Sequence, residues 1–215
     1  MEIKVVRQIL EWNENCHEEL QKEFNEKKIL MLNIMGSPGA GKTTFLTRII
    51  EALRDEYKIG VIEGDIAGKI DAERIANMGI PVVQLNTDGA CHIEAMSIKN
   101  ILPNFDLKDL DILVVENIGN LVCPAEFDIG EDLKIALLSV PEGDDKVEKY
   151  PLMFSRADAL VISKYDMKDY FSFDEDRVIG NTLNMNKDAK VFKVNSSKAQ
   201  GIDEVCEWIK SYIKR

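Results

Sequence analysis

Short runs of apolar residues recur along the chain, and segments in which apolar residues return every three or four positions lie between several of them. The runs are continuous and do not alternate with polar residues, a pattern typical of parallel strands that are covered on both faces. Seven runs predict strands, at 29–35, 59–63, 81–85, 112–116, 135–140, 159–163 and 191–194. Five segments predict crossover helices, at 43–54, 71–78, 93–102, 174–185 and 202–213. The alternation predicts an α/β fold with a mostly parallel sheet of about seven strands and helices on both faces.

The start of the chain shows a helical spacing of its own. Five apolar residues fall three or four positions apart and would form one stripe on a helix: Ile9, Trp12, Cys16, Leu20 and Phe24. The helix either packs on its own domain or serves as an arm that docks a partner. We therefore divide the chain into an N-terminal amphipathic helical segment, 1–27, and a domain, 28–215. The stripe would bury Cys16, which makes Cys16-His17 a packed thiol beside a surface histidine and not a metal-binding pair.

A glycine-rich segment fills every fixed position of the pattern G-x-x-x-x-G-K-[ST], directly after the first predicted strand and before the first predicted helix. In this context the glycines let backbone N–H groups turn towards phosphate oxygens, and the helix dipole adds to the attraction. Lys42 would reach the β- and γ-phosphates, and the Thr43 hydroxyl would ligate Mg²⁺. We predict a P-loop for a nucleoside triphosphate; the alternative is a glycine-rich turn without a ligand. The predicted nucleotide-binding residues are Gly36, Ser37, Gly39, Ala40, Gly41, Lys42, Thr43 and Thr44.

The composition narrows the class of protein. The chain has 215 residues with 38 acidic and 27 basic side chains, a formal net charge of −11 and a pI near 4.8. This charge disfavours nucleic acid as a partner, because proteins bind phosphate backbones through clustered Lys and Arg. No apolar stretch approaches the roughly 18 residues of a membrane span, and no leader pattern opens the sequence. We expect a cytoplasmic protein without a membrane or nucleic-acid partner.

The segment 163–166 has the sequence Ser-Lys-Tyr-Asp and follows a predicted strand, where P-loop GTPases carry an Asn-Lys-x-Asp motif for base recognition. The Asp166 carboxylate would accept hydrogen bonds from N1–H and the amino group of guanine, whereas adenine offers no donor at these positions. The Lys164 stem would lie against the base plane. Ser163 shortens the side chain that usually ties this motif to the phosphate loop, and a plain surface turn is the alternative. Ser197 lies in a segment that resembles the last guanine-contacting loop of such proteins, so GTP or GDP is the predicted ligand.

An acid closes the apolar run at 112–116, and a glycine follows three residues later. This spacing is typical of a γ-phosphate sensor, in which Glu116 would hold Mg²⁺ through water and the Gly119 N–H would bond the γ-phosphate. Asp65, just past the second strand, is another candidate near the metal. The connection 116–133 lacks a helical period and is expected to be a functional loop. No residue stands out as a water-positioning glutamine, so slow GTP hydrolysis is expected. The predicted catalytic residues are Lys42, Thr43, Asp65, Glu116 and Gly119.

The cysteines form a second candidate site. Four cysteines are scattered along the chain, which favours free thiols or metal ligands over disulfides. Cys91 and His92 are adjacent at a predicted helix start, and Cys123 follows Gly119 by four residues. Thiolate and imidazole are preferred ligands of Zn²⁺ and Ni²⁺, while a buried cysteine beside a packed histidine is the alternative.

Cys123 would also connect the metal to the nucleotide. If the γ-phosphate draws Gly119 inward, the loop with Cys123 moves too, so that the nucleotide state would control the metal. Three protein ligands fall short of a closed tetrahedron, and water or a second chain would complete it. We therefore hypothesise a GTP-dependent homodimer.

With these residues assembled, the chain resembles the HypB family of hydrogenase-maturation GTPases, which handle nickel for [NiFe]-hydrogenase. The resemblance runs from the phosphate loop almost to the end of the sequence. Besides the phosphate loop, the segments that carry it are 63–66, 71–75, 90–95, 116–124 and 141–146.

The resemblance implies a GTP-dependent dimer with Cys91, His92 and Cys123 as metal ligands at its interface, and with Lys146 near the nucleotide or the partner chain. It also implies two protein partners, a small nickel metallochaperone of the HypA type that meets the N-terminal segment and a hydrogenase large-subunit precursor. Some family members carry a cysteine-rich or histidine-rich N-terminal tract. Here the first segment offers only Cys16-His17, so no tight N-terminal nickel site is predicted.

Two other functions stay open on the sequence. A P-loop kinase for a small molecule would leave the cysteines structural but would give no role to Asp166 or to Cys91-His92. A metallocentre GTPase for urease or a cobalamin enzyme would share the fold and the use of the nucleotide. Urease-type relatives place Cys-Pro-His on the sensor loop, whereas here Ala125 follows Cys123-Pro124, which favours the hydrogenase assignment.

Overall fold

The computed structural model describes residues 2–65, 70–87 and 89–213, with side chains described from residue 11 onward except at 65, 70 and 71. Within these residues seven strands form one sheet, in the order β3-β2-β4-β1-β5-β6-β7, and all neighbouring strands are parallel. The strands are β1 Leu30–Gly36, β2 Ile59–Asp65, β3 Val82–Asn86, β4 Ile112–Glu116, β5 Leu133–Ser139, β6 Ala159–Ser163 and β7 Lys190–Lys193. All seven predicted strands are confirmed, and so is the parallel α/β fold.

Helices connect the strands and cover both faces of the sheet. They are α1 Glu2–Lys27, α2 Lys42–Leu53, α3 Ile70–Ala76, α4 Ala95–Ile101, α5 Lys146–Lys149, α6 Pro151–Arg156, α7 Glu175–Met185 and α8 Ile202–Lys210. The five predicted crossover helices are present with slightly different ends. The pair α5 and α6 was not predicted, because helices of four and six residues are too short to show a period. In the described part of the chain, no helix is long and apolar enough to span a lipid bilayer.

Successive strand residues point to opposite faces of the sheet, and helices cover both faces, so both sets of side chains are buried. In β1, Leu30, Leu32 and Ile34 pack in one cluster with α2 and α8, whereas Met31 packs in another with α1 and α4. A third cluster covers the rest of the second face with α6 and α7. This two-sided burial explains why the strands are unbroken apolar runs in the sequence.

The second half of α1 belongs to this core. Cys16, Leu20 and Phe24 are buried in the cluster that contains α4. Trp12 is 72% exposed, so its assignment to the buried stripe is wrong, and the neighbouring Asn13 takes the inward position at 8% exposure. The helix therefore packs on its own domain through residues 13–24. The side chain of residue 9 lies outside the described residues, and the division of the chain at residue 27 stays a prediction.

One edge of α1 is polar and faces the loop 128–131. Asn13, His17 and Gln21, spaced four apart, each form a hydrogen bond of 2.7 to 3.2 Å with the backbone of this loop. His17 is an acceptor there, and its side chain is only 16% exposed. The prediction of a surface histidine is therefore wrong, because the loop packs over this face of the helix.

Candidate functional site

The predicted functional residues converge at the edge of the sheet where the parallel strands end. β1 lies between β4 and β5, and all three strands lead into loops at this edge. Ligands of open α/β sheets bind at such an edge. A cavity of about 490 Å³ opens here, lined by the phosphate loop, the first turn of α2, the ends of β2 and β4 and the side chain of Lys164.

The phosphate loop leaves β1 at Gly36 and ends at Gly41, where α2 begins. A Cβ at Gly36 would lie 2.9 Å from the carbonyl oxygen of Leu137 on β5, so the close approach of the strands requires glycine. Gly41 has a φ of +94°, which residues with a side chain rarely adopt. These two glycines set the first turn of α2 against the cavity, where its backbone N–H groups attract anions.

Lys42 and Thr43 begin α2 and face the same cavity. The Lys42 side chain folds over the phosphate loop, with Nζ 3.4 Å from Gly36 O and 3.3 Å from Ser37 O. The Thr43 hydroxyl donates to the Glu116 carboxylate at 2.8 Å. This contact joins α2 to the end of β4 and brings together two of the predicted Mg²⁺ ligands. Hydroxyl and carboxylate oxygens are a donor set that suits Mg²⁺.

The third predicted Mg²⁺ ligand, Asp65, ends β2, and its side chain lies outside the described residues. β2 adds a second acid that was not predicted as a site residue. Glu63 is 3% exposed, lines the cavity and lies opposite Glu116 in the register of β2 and β4. The available signal is its place at the end of an apolar strand, which is also what singles out Glu116.

The loop after β4 lies directly on the phosphate loop. A Cβ at Gly119 would lie 2.9 Å from Pro38 N, so this approach requires glycine. The next residue, Asn120, donates its N–H to Gly36 O at 3.2 Å. The connection contains one short 3-10 helix, Cys123–Ala125, and is otherwise irregular in its described backbone. Gly119 lines the phosphate cavity, which is the position that its predicted role as a sensor requires.

A second cavity of about 250 Å³ adjoins the first and shares Gly41, Thr44 and Lys164 with it. Its lining includes all three predicted base contacts, Lys164, Asp166 and Ser197. Two joined cavities of this kind match the two parts of a nucleotide, its phosphates and its base.

Ser163 links the base-recognition segment to the phosphate loop. Its hydroxyl donates to Ala40 O at 2.6 Å, and the neighbouring Lys164 donates from Nζ to Gly39 O at 2.7 Å. The shorter side chain of Ser163 still makes this tie, because the buried end of β6 lies within reach of the phosphate-loop backbone.

Arg48 of α2, which was not predicted as a site residue, holds the loop 195–198. Its Nε donates to Ser196 O at 2.7 Å, and a terminal nitrogen donates to Ser197 O at 3.2 Å. Within the loop, Asn195 Oδ1 accepts from the Ser197 N–H at 3.1 Å. A contact between such distant segments leaves no pattern in the sequence.

Lys146 opens α5 and pairs with Asp145 at 2.7 Å, and it is not among the described residues that line the two cavities. Hydrogen bonds from Lys146 and a second lysine lower the pKa of Asp145 to about 2. The segment 141–146 reaches the phosphate loop through Glu142, whose carboxylate accepts a hydrogen bond from the hydroxyl of Ser37. A contact of Lys146 with a nucleotide or a second chain stays a prediction.

Cys91, His92 and Cys123 come together at the surface, and their ligand atoms all lie within 4.8 Å of one another. The two Sγ atoms are 2.9 Å apart, and His92 Nδ1 is 3.6 Å from Cys91 Sγ. The His92 ring stacks on Phe127 with a centroid distance of 3.9 Å, which orients the imidazole. The loop before α4 and the 3-10 helix after β4 thus assemble the predicted ligand set.

All four cysteines are free, but only those of this cluster reach the surface. The hydrogen bond with Cys91 and, after it, burial raise the pKa of the Cys123 thiol. On the other side of the ring, His92 Nε2 lies 3.6 Å from the Glu94 carboxylate, which is beyond hydrogen-bond distance. Two thiols and an imidazole suit Zn²⁺ or Ni²⁺, and the exposed position leaves room for a further ligand.

Proteins of known family are similar to this chain in sequence and in fold. Residues 30–193 match the family described as CobW/HypB/UreG, nucleotide-binding domain. The hydrogenase maturation factor HypB of Escherichia coli strain K12 is 39% identical over 209 residues, which cover 97% of this chain and 72% of that protein. The hydrogenase/urease maturation factor HypB of Helicobacter hepaticus is 39% identical over 211 residues, which cover 96% of this chain and 86% of that protein. The crystal structure of HypB from Helicobacter pylori in complex with nickel superposes with a TM-score of 0.87 at 35% identity, over 94% of this chain and 97% of that chain.

Proposed function

The chain belongs to the HypB family of hydrogenase maturation factors, and on this premise we propose that it is a GTPase that handles nickel for [NiFe]-hydrogenase. One observation carries the proposal: a short loop joins a cavity suited to a triphosphate to a cluster of two thiols and an imidazole. Gly119 lines the cavity, and Cys123 in the same loop belongs to the cluster. An event at the γ-phosphate would therefore act on the metal ligands.

We assign the phosphates of GTP to the larger cavity and guanine to the smaller one. The N–H groups at the start of α2 and the Lys42 ammonium would attract the phosphate oxygens. Thr43, Glu116 and, from the sequence, Asp65 would hold Mg²⁺, which when bound neutralises charge on the β- and γ-phosphate oxygens. Asp166 would select guanine by accepting from its two neighbouring N–H donors.

The sensor loop, residues 117–124 after β4, would respond to the loss of the γ-phosphate. In the triphosphate state the Gly119 N–H would bond this group, and hydrolysis would remove the bond. Asn120 continues the path, because its N–H donates to Gly36 O and its side-chain oxygen accepts from the N–H of Val122, the residue before Cys123, at 2.8 Å. Movement of Asn120 would shift Cys123 relative to the other two ligands, so hydrolysis would open the metal site and release nickel.

We further propose a GTP-dependent homodimer that forms through the metal face. Three ligands leave Zn²⁺ or Ni²⁺ incompletely coordinated, and a second copy related by two-fold symmetry would supply the missing ligands. Val122, next to Cys123, is 47% exposed and would be covered in such a dimer. A metallochaperone of the HypA type and the hydrogenase large-subunit precursor are the other proposed partners. The proposed location is the cytoplasm, where thiol ligands stay reduced.

Sedimentation and turnover test this function. With nickel and a non-hydrolysable GTP analogue the protein should sediment as a dimer, and with GDP it should sediment as a monomer. GTP should be hydrolysed slowly without an added acceptor, whereas a small-molecule kinase would need one. Monomers under both conditions, or turnover that depends on an acceptor, would contradict the proposal.

Nickel delivery to urease is a second candidate, because a relative of equal identity is named a hydrogenase/urease maturation factor. The ligand motif on the sensor loop, Cys123-Pro124-Ala125, favours hydrogenase. Transfer of radioactive nickel from the loaded protein to a hydrogenase precursor and to apo-urease, measured side by side, would separate the two candidates.

Replacing Asp166 by asparagine should lower GTP affinity by about 10- to 100-fold, because a charged acceptor of two hydrogen bonds is lost. The new amide would accept from guanine N1–H but would set its NH₂ group against the guanine amino group. The same variant should bind xanthosine triphosphate more tightly than the wild type, since xanthine has a carbonyl group at that position. Isothermal titration measures both affinities.

Asp169→Asn is the matched control, because Asp169 is an exposed acid of the same 3-10 helix, Tyr165–Tyr170. It should leave both affinities unchanged. An Asp166→Asn protein that still prefers GTP over ATP as strongly as the wild type would refute the guanine assignment.

A further inference from the structure

A buried chain of hydrogen bonds leads from the sensor loop to the loop that contacts α1. Asn117 Nδ2 donates to Asn33 Oδ1 at 3.1 Å, and Asn33 Nδ2 donates to Glu131 Oε1 at 3.1 Å. At the other end, Asn117 Oδ1 accepts from the Ile118 N–H at 2.9 Å. The exposed fractions of Asn117, Asn33 and Glu131 are 1%, 0% and 4%, so water does not compete for these bonds.

The hydrogen bonds of this series all run in one direction, from donor to acceptor, and Glu131 sets that direction. An ionised carboxylate only accepts hydrogen bonds, so Asn33 must turn its NH₂ group towards Glu131. The carbonyl oxygen of Asn33 then faces Asn117, which must donate its own NH₂ group. This leaves the Asn117 carbonyl oxygen to accept from the Ile118 N–H. The orientation of both amides, and with it the bond to the sensor-loop backbone, therefore follows from one buried charge.

The surroundings of Glu131 hold its carboxylate in a fixed position. Its Oε2 accepts from the Ile129 N–H at 2.6 Å, and Lys134 Nζ lies 3.6 Å from Oε1. Gln21 of α1 donates to the Glu131 carbonyl oxygen at 3.2 Å. α1 thus fixes the backbone that carries the carboxylate.

We propose that Glu131 is a positioning residue that sets how the sensor loop responds to the γ-phosphate, acting through Asn33 and Asn117. Glu131 is not among the described residues that line the nucleotide cavities, and it reaches the loop only through the two amides. Ile118 directly precedes Gly119, so the bond to its N–H fixes the backbone where the loop enters the phosphate cavity. The inference rests on the proposed function, because it concerns the recognition of GTP against GDP.

Glu131→Gln tests the proposal. Its amide replaces one acceptor oxygen by an NH₂ group, so two hydrogen-bond donors must face each other at one position in the series of hydrogen bonds. If the new NH₂ group faces Ile129, it opposes the Ile129 N–H; if it faces position 33, it opposes the NH₂ group of Asn33. If Asn33 and Asn117 both turn over to avoid this, the NH₂ group of Asn117 opposes the Ile118 N–H. We expect the ratio of the affinities for a non-hydrolysable GTP analogue and for GDP to fall by about tenfold, the size of one buried hydrogen bond. Isothermal titration with each nucleotide gives the ratio, and thermal melting without nucleotide gives the stability.

The double variant Asn33→Asp/Glu131→Gln is the rescue. It moves the carboxylate to position 33, where it accepts from Asn117 and from the introduced amide, while the amide oxygen accepts from the Ile129 N–H. Every hydrogen bond is restored and Asn117 keeps its orientation, so the affinity ratio should return to the wild-type value. Asp132→Asn is the matched control, since Asp132 ties the same loop to β1 by accepting from the Met31 N–H at 2.8 Å, and it should leave the ratio unchanged.

Asn33→Ala keeps the test informative if Glu131→Gln does not fold. It interrupts the series of hydrogen bonds without placing two donors against each other. It should likewise lower the ratio of the affinities for the GTP analogue and for GDP. The proposal is overturned if these variants lower the melting temperature but leave the ratio at the wild-type value. It is also overturned if the double variant recovers its stability and not its ratio, or if Asp132→Asn lowers the ratio equally. A wild-type protein that binds neither nucleotide would overturn the proposed function together with this inference.

Discussion

Replacing Lys42 by alanine is expected to weaken GTP binding by about 100-fold or more, through the loss of a charge-assisted hydrogen bond in a largely buried position. Lys42 is 8% exposed and lines the phosphate cavity. Of the described residues in that lining, only Lys42 and Lys164 are basic, and Glu63 and Glu116 are acidic. Without Lys42 the carboxylates would outnumber the remaining cation, so the cavity would repel a triphosphate. Equilibrium dialysis with labelled GTP measures the loss.

Lys108→Ala provides the control for Lys42→Ala, because it removes an equal charge from an exposed position on the 3-10 helix Leu107–Asp109. It should leave GTP affinity unchanged, which separates the local effect from the change in net charge. GTP binding by Lys42→Ala at wild-type strength would contradict the assignment of the phosphates to this cavity.

Replacing Cys123 by alanine is expected to lower nickel affinity by more than about 100-fold. Loss of a residue that only hydrogen-bonds a metal ligand costs about 10- to 100-fold, and loss of a ligand itself should cost more. The variant keeps one thiol and one imidazole, and two ligands hold a soft ion poorly. GDP affinity should stay near the wild-type value, because Cys123 lines neither described cavity. Competition with a chromophoric chelator gives the metal affinity, and Cys91→Ala should behave in the same way.

Cys206→Ala is the matched control for the metal site. Cys206 is a buried free thiol of α8, and burial raises its pKa to about 12, so it stays protonated and ligates no metal. Its removal should leave the nickel stoichiometry intact. Full nickel occupancy in Cys123→Ala and Cys91→Ala would refute the predicted ligand set.

The parallel sheet and the two candidate sites were accessible from the sequence because each rests on a local pattern. Unbroken apolar runs mark strands that are buried on both sides. The pattern G-x-x-x-x-G-K-[ST] is typical of a loop between a strand and a helix. Cys91-His92 and Cys123 are weak signals singly. They could be combined because thiolate and imidazole suit the same metal ions and Cys123 follows the sensor glycine, Gly119, by four residues. In the structure they meet because the carboxyl ends of the parallel strands β3 and β4 share one edge of the sheet.

The remaining features depend on contacts between distant segments. Trp12 fits the helical period as well as Asn13 does, and only the loop 128–131 decides which of them faces inward. Ser163 ties the base-recognition segment to the phosphate loop, although its side chain alone predicts a weaker link. The hydrogen bonds from Glu131 to Asn117 run through Asn33 of β1, which lies 98 and 84 residues from them in sequence. None of these pairings has a spacing that a single sequence can show.

The central place of β1 in the sheet also determines when the phosphate loop can form during synthesis. Leu30 is paired with Ile112 on β4, and Leu32 with Leu133 on β5, so both neighbours of β1 are made long after it. Contacts of such high sequence separation form late in folding. A nascent chain on the ribosome therefore cannot shape the phosphate loop until β5 has emerged, and by then residues 91, 92 and 123 have already been synthesised. No partly made chain would hold a nucleotide before all of its metal ligands exist.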